Sequence, residues 1–499
     1  MELFDNLLLG AQVAFSLENA LYCFIGVLLG TLIGVLPGLG PTATIAMLLP
    51  VTFTLPPVAA LIMLAGIYYG AQYGGSTTAI LVNLPGESAS VVTALDGYKL
   101  ARAGRAGPAL GMAAIASFFA GCVATVVIAF FAPPLADLAL KFNSADYFSL
   151  MVLGLVAAVV LAHGDLLKAI AMVVLGLLLG MVGTDVSSGA SRFNLEISEL
   201  AEGIQFVTIA MGLFGIAEIL INVEQGEKRD VFVSKVGRLL PTREDFRLCT
   251  PSILRGTALG CALGILPGGG ALLAYFAAYT LEKKVAKAPK NFGHGDIRGV
   301  AAPESANNAG AQTSFIPLLT LGIPSNPVMA LMIGAMILKQ IVPGPTVMTE
   351  KPELFWGMIV SMWLGNLLLV VLNLPLIGIW IKLLTIPYRL LYPAILTFCC
   401  IGVYTLNNSS FDVFLMAVFG VLGYVCIKLE CEPAPLIIGF ILGPMMEENL
   451  RRAMLISRGD ATVFFTRPIS ATLLAVAVLL LLVIAAPSIR KKREEAFQE

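Results

Sequence analysis

The stretch Gly34-Val-Leu-Pro-Gly-Leu-Gly40 interrupts an apolar run early in the chain, and Gly264-Ile-Leu-Pro-Gly-Gly-Gly270 repeats it in the second half. Pro and Gly both oppose a continuous helix. A break leaves backbone N–H and C=O groups without helical partners, and lipid has no water to hydrogen-bond them. Such a break is therefore tolerated at membrane depth only where it is buried in protein or lines a polar cavity. Two breaks of one kind predict a duplicated site.

The composition around these breaks is that of a polytopic membrane protein. Of 499 residues, 58% are hydrophobic and only 13% are charged, and the mean hydropathy is +0.89. A net charge of -1 leaves no large basic face for nucleic acid. We therefore predict an all-α membrane protein with roughly 10 to 12 spanning segments plus re-entrant or broken helices.

The distribution of basic residues predicts the orientation of the breaks. No Lys or Arg precedes Lys99, and Arg102 and Arg105 follow it, so the positive-inside rule places this loop in the cytoplasm. The hairpin over 21–54 would then enter the membrane from outside, whereas the hairpin over 250–285 lies between basic loops and would enter from inside. Opposite entry predicts two inverted-topology repeats.

A comparison of the two halves agrees with this duplication. Gly30 to Gly40 matches Gly260 to Gly270, Gly70-Ala-Gln72 matches Gly310-Ala-Gln312, and Leu84-Pro85 matches Ile323-Pro324 after a one-residue adjustment. We divide the chain into an N-terminal repeat (1–223), a cytoplasmic basic linker (224–250), an inverted C-terminal repeat (251–450), and a final helix with a basic tail (451–499). The side of the membrane on which 451–467 lies stays open.

The breaks also predict a binding site for an anion. Each new half-helix starts with free backbone N–H groups and a partial positive charge, and small polar residues crowd around it. The substrate-binding candidates are Gly38, Gly40, Thr42, Thr44, Ser76, Thr77, Asn83 and Gly86 in the first half, and Gly268, Gly270, Asn307, Asn308, Thr313, Ser314, Pro324 and Ser325 in the second. The alternative for each is helix packing or capping.

Coupling to Na⁺ or H⁺ is predicted from the absence of fixed cations. The first 98 residues and the segment from Gly299 to Leu338 contain no Lys or Arg, so bound cations would have to balance an anionic substrate. Intramembrane carboxylates are functional candidates by default. The ion-coupling candidates are Glu87, Asp96, Glu304, Gln72 and Gln312. For Asp96, a turn cap at the interface is an equal alternative.

Other chemistry finds little support in the sequence. The two His-Gly-Asp triplets, 163–165 and 294–296, fall in predicted cytoplasmic turns, and the eight cysteines lack C-x-x-C spacing. The sequence lacks the motifs that are typical of hydrolases and of nucleotide-binding proteins. We therefore predict no enzyme activity, no metal site and no cofactor other than the coupling ion.

Seven motifs in order resemble the large permease subunit of the tripartite tricarboxylate transporter family, over about residues 20–470. They are Gly34-Val-Leu-Pro-Gly-Leu-Gly-Pro-Thr-Ala-Thr44, Tyr73-Gly-Gly-Ser76 with Asn83-Leu-Pro-Gly86, Asp96-Gly-Tyr98, Leu240-Pro-Thr-Arg-Glu-Asp245, Leu266-Pro-Gly-Gly-Gly270, Pro303-Glu-Ser-Ala-Asn-Asn308 and Leu321-Gly-Ile-Pro324. This resemblance implies an ion-coupled carboxylate transporter of the bacterial inner membrane. It also implies two partners, a small four-helix membrane subunit and a periplasmic binding protein that delivers the substrate.

One departure limits what the resemblance implies about the substrate. Ala309-Gly-Ala-Gln-Thr-Ser314 stands where the family pattern is richer in Gly and Ala, so tricarboxylate specificity is not carried over. The main alternative function is a passive anion channel, since re-entrant hairpins also build selectivity filters. An intramembrane enzyme would need a nucleophile or a metal-ligand set that the sequence does not offer, and a membrane scaffold would leave the duplicated breaks unexplained.

Overall fold

The fold is described by a computed structural model over residues 2–36, 39–83, 90–162, 165–185, 188–225, 237–266, 270–286, 288–383 and 388–485. The first half contains α1 (Glu2–Ala14), α2 (Leu17–Gly34), α3 (Pro41–Leu48), α4 (Pro57–Val82), α5 (Ser90–Leu100), α6 (Ala106–Ala139), α7 (Ser144–Leu161), α8 (Leu166–Gly180), α9 (Phe206–Ala210) and α10 (Ala217–Gln225). The second half contains α11 (Arg243–Gly264), α12 (Gly270–Val285), α13 (Arg298–Thr313), α14 (Phe315–Leu321), α15 (Pro327–Leu338), α16 (Thr346–Glu350), α17 (Pro352–Asn373), α18 (Ile377–Leu383), α19 (Tyr388–Asn407), α20 (Ser410–Lys428), α21 (Ala434–Ile456), α22 (Val463–Thr466) and α23 (Pro468–Ala485).

Strands contribute almost nothing to the described structure. Two-residue strands β1 (Gly183–Thr184) and β2 (Ser191–Arg192) pair antiparallel. Short 3₁₀ or π-helical segments cover 49–52, 101–105, 198–200, 211–216 and 289–291.

Within the described residues, five helical segments are long and apolar enough to cross a membrane. They are Leu17–Gly34, Ser90–Ala139, Phe206–Glu224, Pro352–Asn373 and Ser410–Lys428. Shorter apolar helices accompany them, among them 41–52 and 327–338. The predicted class, an all-α polytopic membrane protein, is confirmed.

Helix starts follow the capping signals in the sequence. Thr242 accepts a hydrogen bond from the backbone of Asp245, whose carboxylate accepts one from the Thr242 backbone, and this reciprocal pair caps the start of α11. Asn326 caps α15 by accepting from the Met329 backbone N–H at 2.9 Å, and Pro327 occupies the first turn.

Two equivalent pairs of helices pack through glycine in the two halves. A Cβ atom added at Gly30 of α2 would lie 2.3 Å from the carbonyl oxygen of Ile67 on α4, and one at Gly260 of α11 would lie 2.4 Å from that of Ala306 on α13. Gly lets two helix backbones approach this closely. The aligned glycines therefore make the same contact in each half.

Helix α4 in the first half and helix α14 in the second half end in the same backbone conformation. Asn83 follows α4 in the left-handed conformation with φ 57°, and Gly322 follows α14 in the same conformation with φ 71°. Gly adopts this conformation at no steric cost, and Asn is among the few other residues that adopt it readily. Both residues directly precede the matched dipeptides at 84–85 and 323–324.

The equivalent helices α4 and α13, with its continuation α14, run antiparallel past each other. The rings of Tyr69 and Phe315 lie 6.2 Å apart between centroids, and Ser76 Oγ lies 2.9 Å from Glu304 Oε2. Higher numbers on α4 thus meet lower numbers on α13. The matched Gly-Ala-Gln phrases at 70–72 and 310–312 lie between these two contacts along their helices.

Candidate functional site

The most unusual group at this crossing is the carboxylate of Glu304, which is 1% exposed. Its Oε2 accepts from Ser76 Oγ at 2.9 Å and from Ser117 Oγ at 3.4 Å. Its Oε1 accepts from Thr93 Oγ1 at 2.5 Å and from the Tyr275 hydroxyl at 3.2 Å. Hydroxyl groups from α4, α5, α6 and α12 therefore surround it.

These hydroxyls take the place that a cation would take beside most buried carboxylates. Within the described part of the chain, no Lys, Arg or His pairs with Glu304. Arg298, which begins the same helix, pairs instead with Asp296 at 2.6 Å. An ionised carboxylate without a counter-ion is costly at membrane depth. When Glu304 is ionised, its charge is therefore stabilised by the surrounding hydroxyl groups.

A small cavity adjoins the carboxylate. Its volume is about 20 Å³, and its polar lining consists of Tyr73, Ser76, Thr77, Ser117, Asn373 and Glu304. One water fits a space of this size, but a dicarboxylate does not. The protein is therefore closed to substrate at this point.

Asn308 extends the polar shell by one helical turn. Its Nδ2 donates to Ser117 Oγ at 2.7 Å and to the Glu304 carbonyl at 3.1 Å. Asn307 is also buried, at 1% exposure. The predicted candidate Asn308 thus supports the hydroxyl that contacts Glu304.

Further buried polar side chains lie at and near the matched Gly-Ala-Gln phrases. Gln312 accepts from Thr125 Oγ1 at 2.7 Å. Gln72 Oε1, Gln312 Nε2, the Tyr69 hydroxyl and both amide atoms of Asn366 on α17 are buried without a hydrogen-bond partner among the described residues. Because buried polar groups are nearly always hydrogen-bonded, so many orphaned atoms point to a missing ligand or ordered water.

Asp96 has a different setting from the other predicted coupling groups. Its carboxylate accepts from the backbone N–H groups of Gly293, Gly295 and Asp296 and from the Tyr279 hydroxyl, at 2.7 to 3.0 Å. It thereby fastens α5 of the first half to the 293–296 turn of the second. This geometry favours the turn-capping alternative for Asp96.

Several other candidates bond within their own helix. Thr44 donates to the Gly40 carbonyl at 2.9 Å, Thr77 to that of Tyr73 at 3.1 Å, and Ser314 to that of Ala311 at 2.5 Å. Thr313 likewise donates to Ala309, and Ser325 donates to the Ser314 carbonyl. Gly40 and Gly270 flank the starts of α3 and α12, Thr42 lies in α3, and Pro324 is buried before α15. Gly38, Gly86, Gly268 and Glu87 lie outside the described residues.

The sequence reasoning missed several residues that line these sites. They include Tyr69, Thr93, Ser117, Thr125, Tyr275 and Asn366. Ser117 and Asn366 carry a usable signal, since each is an isolated polar residue in a long apolar helix. Thr93 and Tyr275 follow the break regions without any distinguishing pattern.

The comparisons with known proteins agree over most of the chain. The sequence profile of the tripartite tricarboxylate transporter TctA family matches residues 20–438. An uncharacterized 52.8 kDa protein in the TAR-I ttuC' 3'region of Agrobacterium vitis is 61% identical over 499 residues, which cover all of this chain and 99% of that protein. An uncharacterized protein in the TAR-II ttuC' 3'region of the same organism is 63% identical over 240 residues, covering 48% of this chain and 99% of that protein.

No solved structure matches the chain. The profile match covers most of the chain, and the Agrobacterium vitis relative covers all of it. The chain belongs to the TctA family, the large membrane subunit of tripartite tricarboxylate transporters.

Proposed function

We propose that the chain is the permease subunit of an ion-coupled importer of organic di- or tricarboxylates. It works in the bacterial inner membrane with a small four-helix membrane subunit and a periplasmic binding protein that delivers the substrate. The observation that carries this proposal is Glu304, a buried carboxylate held by hydroxyl groups where α4 and α13 cross. Carboxylates inside a membrane protein typically mark ion pathways and proton relays.

Inverted repeats are part of the proposal. The antiparallel crossing of α4 and α13 supports them, as do the matched glycine contacts and the two left-handed residues Asn83 and Gly322. Secondary transporters built this way hold substrate and ions near the midplane, at the interface between the repeats. Alternating access would then follow from movement of one repeat against the other.

The cluster around Gln72 and Gln312 is the proposed substrate position. Its free amide N–H groups on Gln312 and Asn366 and the Tyr69 hydroxyl are donors that suit a carboxylate group. Amides can do this without a fixed positive charge, and the coupling ion supplies the charge balance. The space at Glu304 is too small for the whole substrate, so binding requires the crossing to open.

Transport in proteoliposomes tests this function. Vesicles would contain both membrane subunits, and uptake of labelled succinate, malate and citrate would be followed with the binding protein added or omitted. The proposal expects uptake that saturates, requires the binding protein and depends on an imposed Na⁺ or pH gradient. Flux that rises linearly with concentration and needs no gradient would instead identify the passive channel.

A further inference from the structure

The hydrogen bonds of the Glu304 carboxylate favour one coupling ion over another. A carboxylate has about four lone-pair positions, and four hydroxyl groups already contact its two oxygens. A Na⁺ ion would have to displace some of them to reach the carboxylate. A proton needs no displacement, because it binds one oxygen and points at a hydroxyl that is already in place.

The hydroxyl shell suits both charge states of Glu304. When the carboxylate is ionised, Ser76 donates to it at 2.9 Å. When it is protonated, its own O–H can donate to Ser76 Oγ, whose hydrogen then turns to the Gln72 carbonyl 3.2 Å away. Because a hydroxyl both donates and accepts, the heavy atoms need not move when the proton arrives.

The surroundings of Glu304 hold little that would compete for the proton. Among the residues that the structure describes, the titratable groups that face it are Tyr73 of α4 and Tyr275 of α12. The charged groups on neighbouring helices are engaged elsewhere: Asp96 of α5 with the 293–296 turn, Arg255 of α11 with Glu282 of α12 at 2.8 Å, and Arg298 with Asp296. The cavity beside the carboxylate has room for one water, and a water at this place could deliver the proton.

The placement of the donors links this proton to movement. Glu304 belongs to the second half, whereas Ser76, Thr93 and Ser117 belong to the first. If the halves separate without water entering, an ionised Glu304 loses three of its donors in apolar surroundings, which is expensive. A protonated Glu304 can make the same movement at far lower cost.

We infer that the coupling ion is a proton and that Glu304 is the group that carries it across. This inference rests on the proposed function, since it names the ion of that same site. Protonation at one side permits the movement of the crossing, and release at the other side restores the ionised carboxylate to its hydroxyl shell or to water.

Two vesicle measurements distinguish proton coupling from carboxylate binding: accumulation driven by a gradient, and exchange of internal for external carboxylate. In vesicles with both membrane subunits and the binding protein, an interior one pH unit more alkaline should raise accumulation of the transported carboxylate by about tenfold per proton. A Na⁺ gradient at constant pH should have no effect. Glu304→Gln should lose this accumulation while still exchanging internal for external labelled carboxylate. Glu282→Gln, a buried carboxylate paired with Arg255, should keep pH-driven accumulation.

An infrared measurement keeps the inference testable if no trial carboxylate is transported. That outcome would contradict the proposed function, yet the chain alone in lipid should still show a pH-dependent C=O band of a protonated carboxyl group that disappears in Glu304→Gln and ignores Na⁺. Accumulation driven by Na⁺ alone, full pH-driven accumulation in Glu304→Gln, or a carboxyl band unchanged by that substitution would each overturn the inference.

Discussion

Asn366 of α17 lies directly against Gly121 of α6, so closely that a Cβ atom at position 121 would come within 2.6 Å of both atoms of the Asn366 side-chain amide. Neither amide atom has a hydrogen-bond partner among the described residues, and the side chain is fully buried. An amide in this position costs stability unless it has a ligand. This contact is the reason that Asn366 is part of the proposed substrate position.

Replacing Asn366 by Leu should abolish carboxylate uptake without destabilising the fold. Removal of an unpartnered polar group by an apolar one of similar shape is neutral or stabilising, so the thermal unfolding temperature should stay equal or rise. Uptake in vesicles and unfolding in detergent would be measured on the same preparation. Ser361→Ala is the control on the same helix, since the Ser361 hydroxyl donates to the Met358 carbonyl of that helix. Normal uptake by Asn366→Leu would remove this residue from the site.

Replacing Asp96 by Asn should loosen the contact between the two halves at the 293–296 turn. The carboxylate loses charge-assisted bonds from three backbone N–H groups, and one such bond contributes on the order of 2 kcal/mol. Hydrogen exchange at Gly293 and Gly295 should accelerate strongly. Asp137→Asn, at an exposed position, serves as the matched control. Unchanged exchange at both glycines would show that Asp96 does not fasten the turn.

The glycine contacts predict equal sensitivity in the two halves. Gly30→Ala and Gly260→Ala each force a methyl group to within 2.3 to 2.4 Å of a backbone carbonyl oxygen, and overpacking of this kind costs about 1–3 kcal/mol. Both variants should lower the yield of monodisperse protein in size-exclusion chromatography, whereas Gly378→Ala, which meets nothing within 4 Å, should not. If only one half proves sensitive, the matched packing of the halves is not a shared requirement.

The start of α11 should give the protein a pH-dependent stability. Burial would raise the pKa of Asp245, but hydrogen bonds from Arg105 and Thr242 outweigh it and hold that pKa below its usual range. A carboxyl group with a lowered pKa stabilises the fold above its unfolded-state pKa, and this stability is lost as the pH falls through the folded-state value. Asp245→Asn should therefore unfold more easily than wild type at neutral pH, and the difference should shrink in acid. A difference that stays constant with pH would contradict this role.

The sequence indicates helix starts well because capping depends on local chemistry. The side chains of Thr242 and Asn326 each accept a hydrogen bond from a backbone N–H group three residues on. The duplication stays a prediction, although the aligned glycines Gly30 and Gly260 both lie against the backbone of a neighbouring helix. Glu304 was predicted as a candidate because a carboxylate is rare in such an apolar segment. Most of the hydroxyl groups that surround Glu304 were not predicted. Thr93, Ser117 and Tyr275 come together only when four separate helices pack. The sequence around Asp96 fits ion coupling and turn capping equally well. The residues that distinguish these roles, at 293–296, are distant in the sequence.

The most direct test of the proton-coupled account follows proton and carboxylate movement in the same vesicles. Reconstituted complexes with a pH-sensitive dye in the lumen would receive the binding protein loaded with its carboxylate, without any Na⁺ gradient. We expect the lumen of wild-type vesicles to acidify as the labelled carboxylate enters, and we expect no acidification with Glu304→Gln. Entry of the carboxylate into wild-type vesicles without acidification would contradict the account.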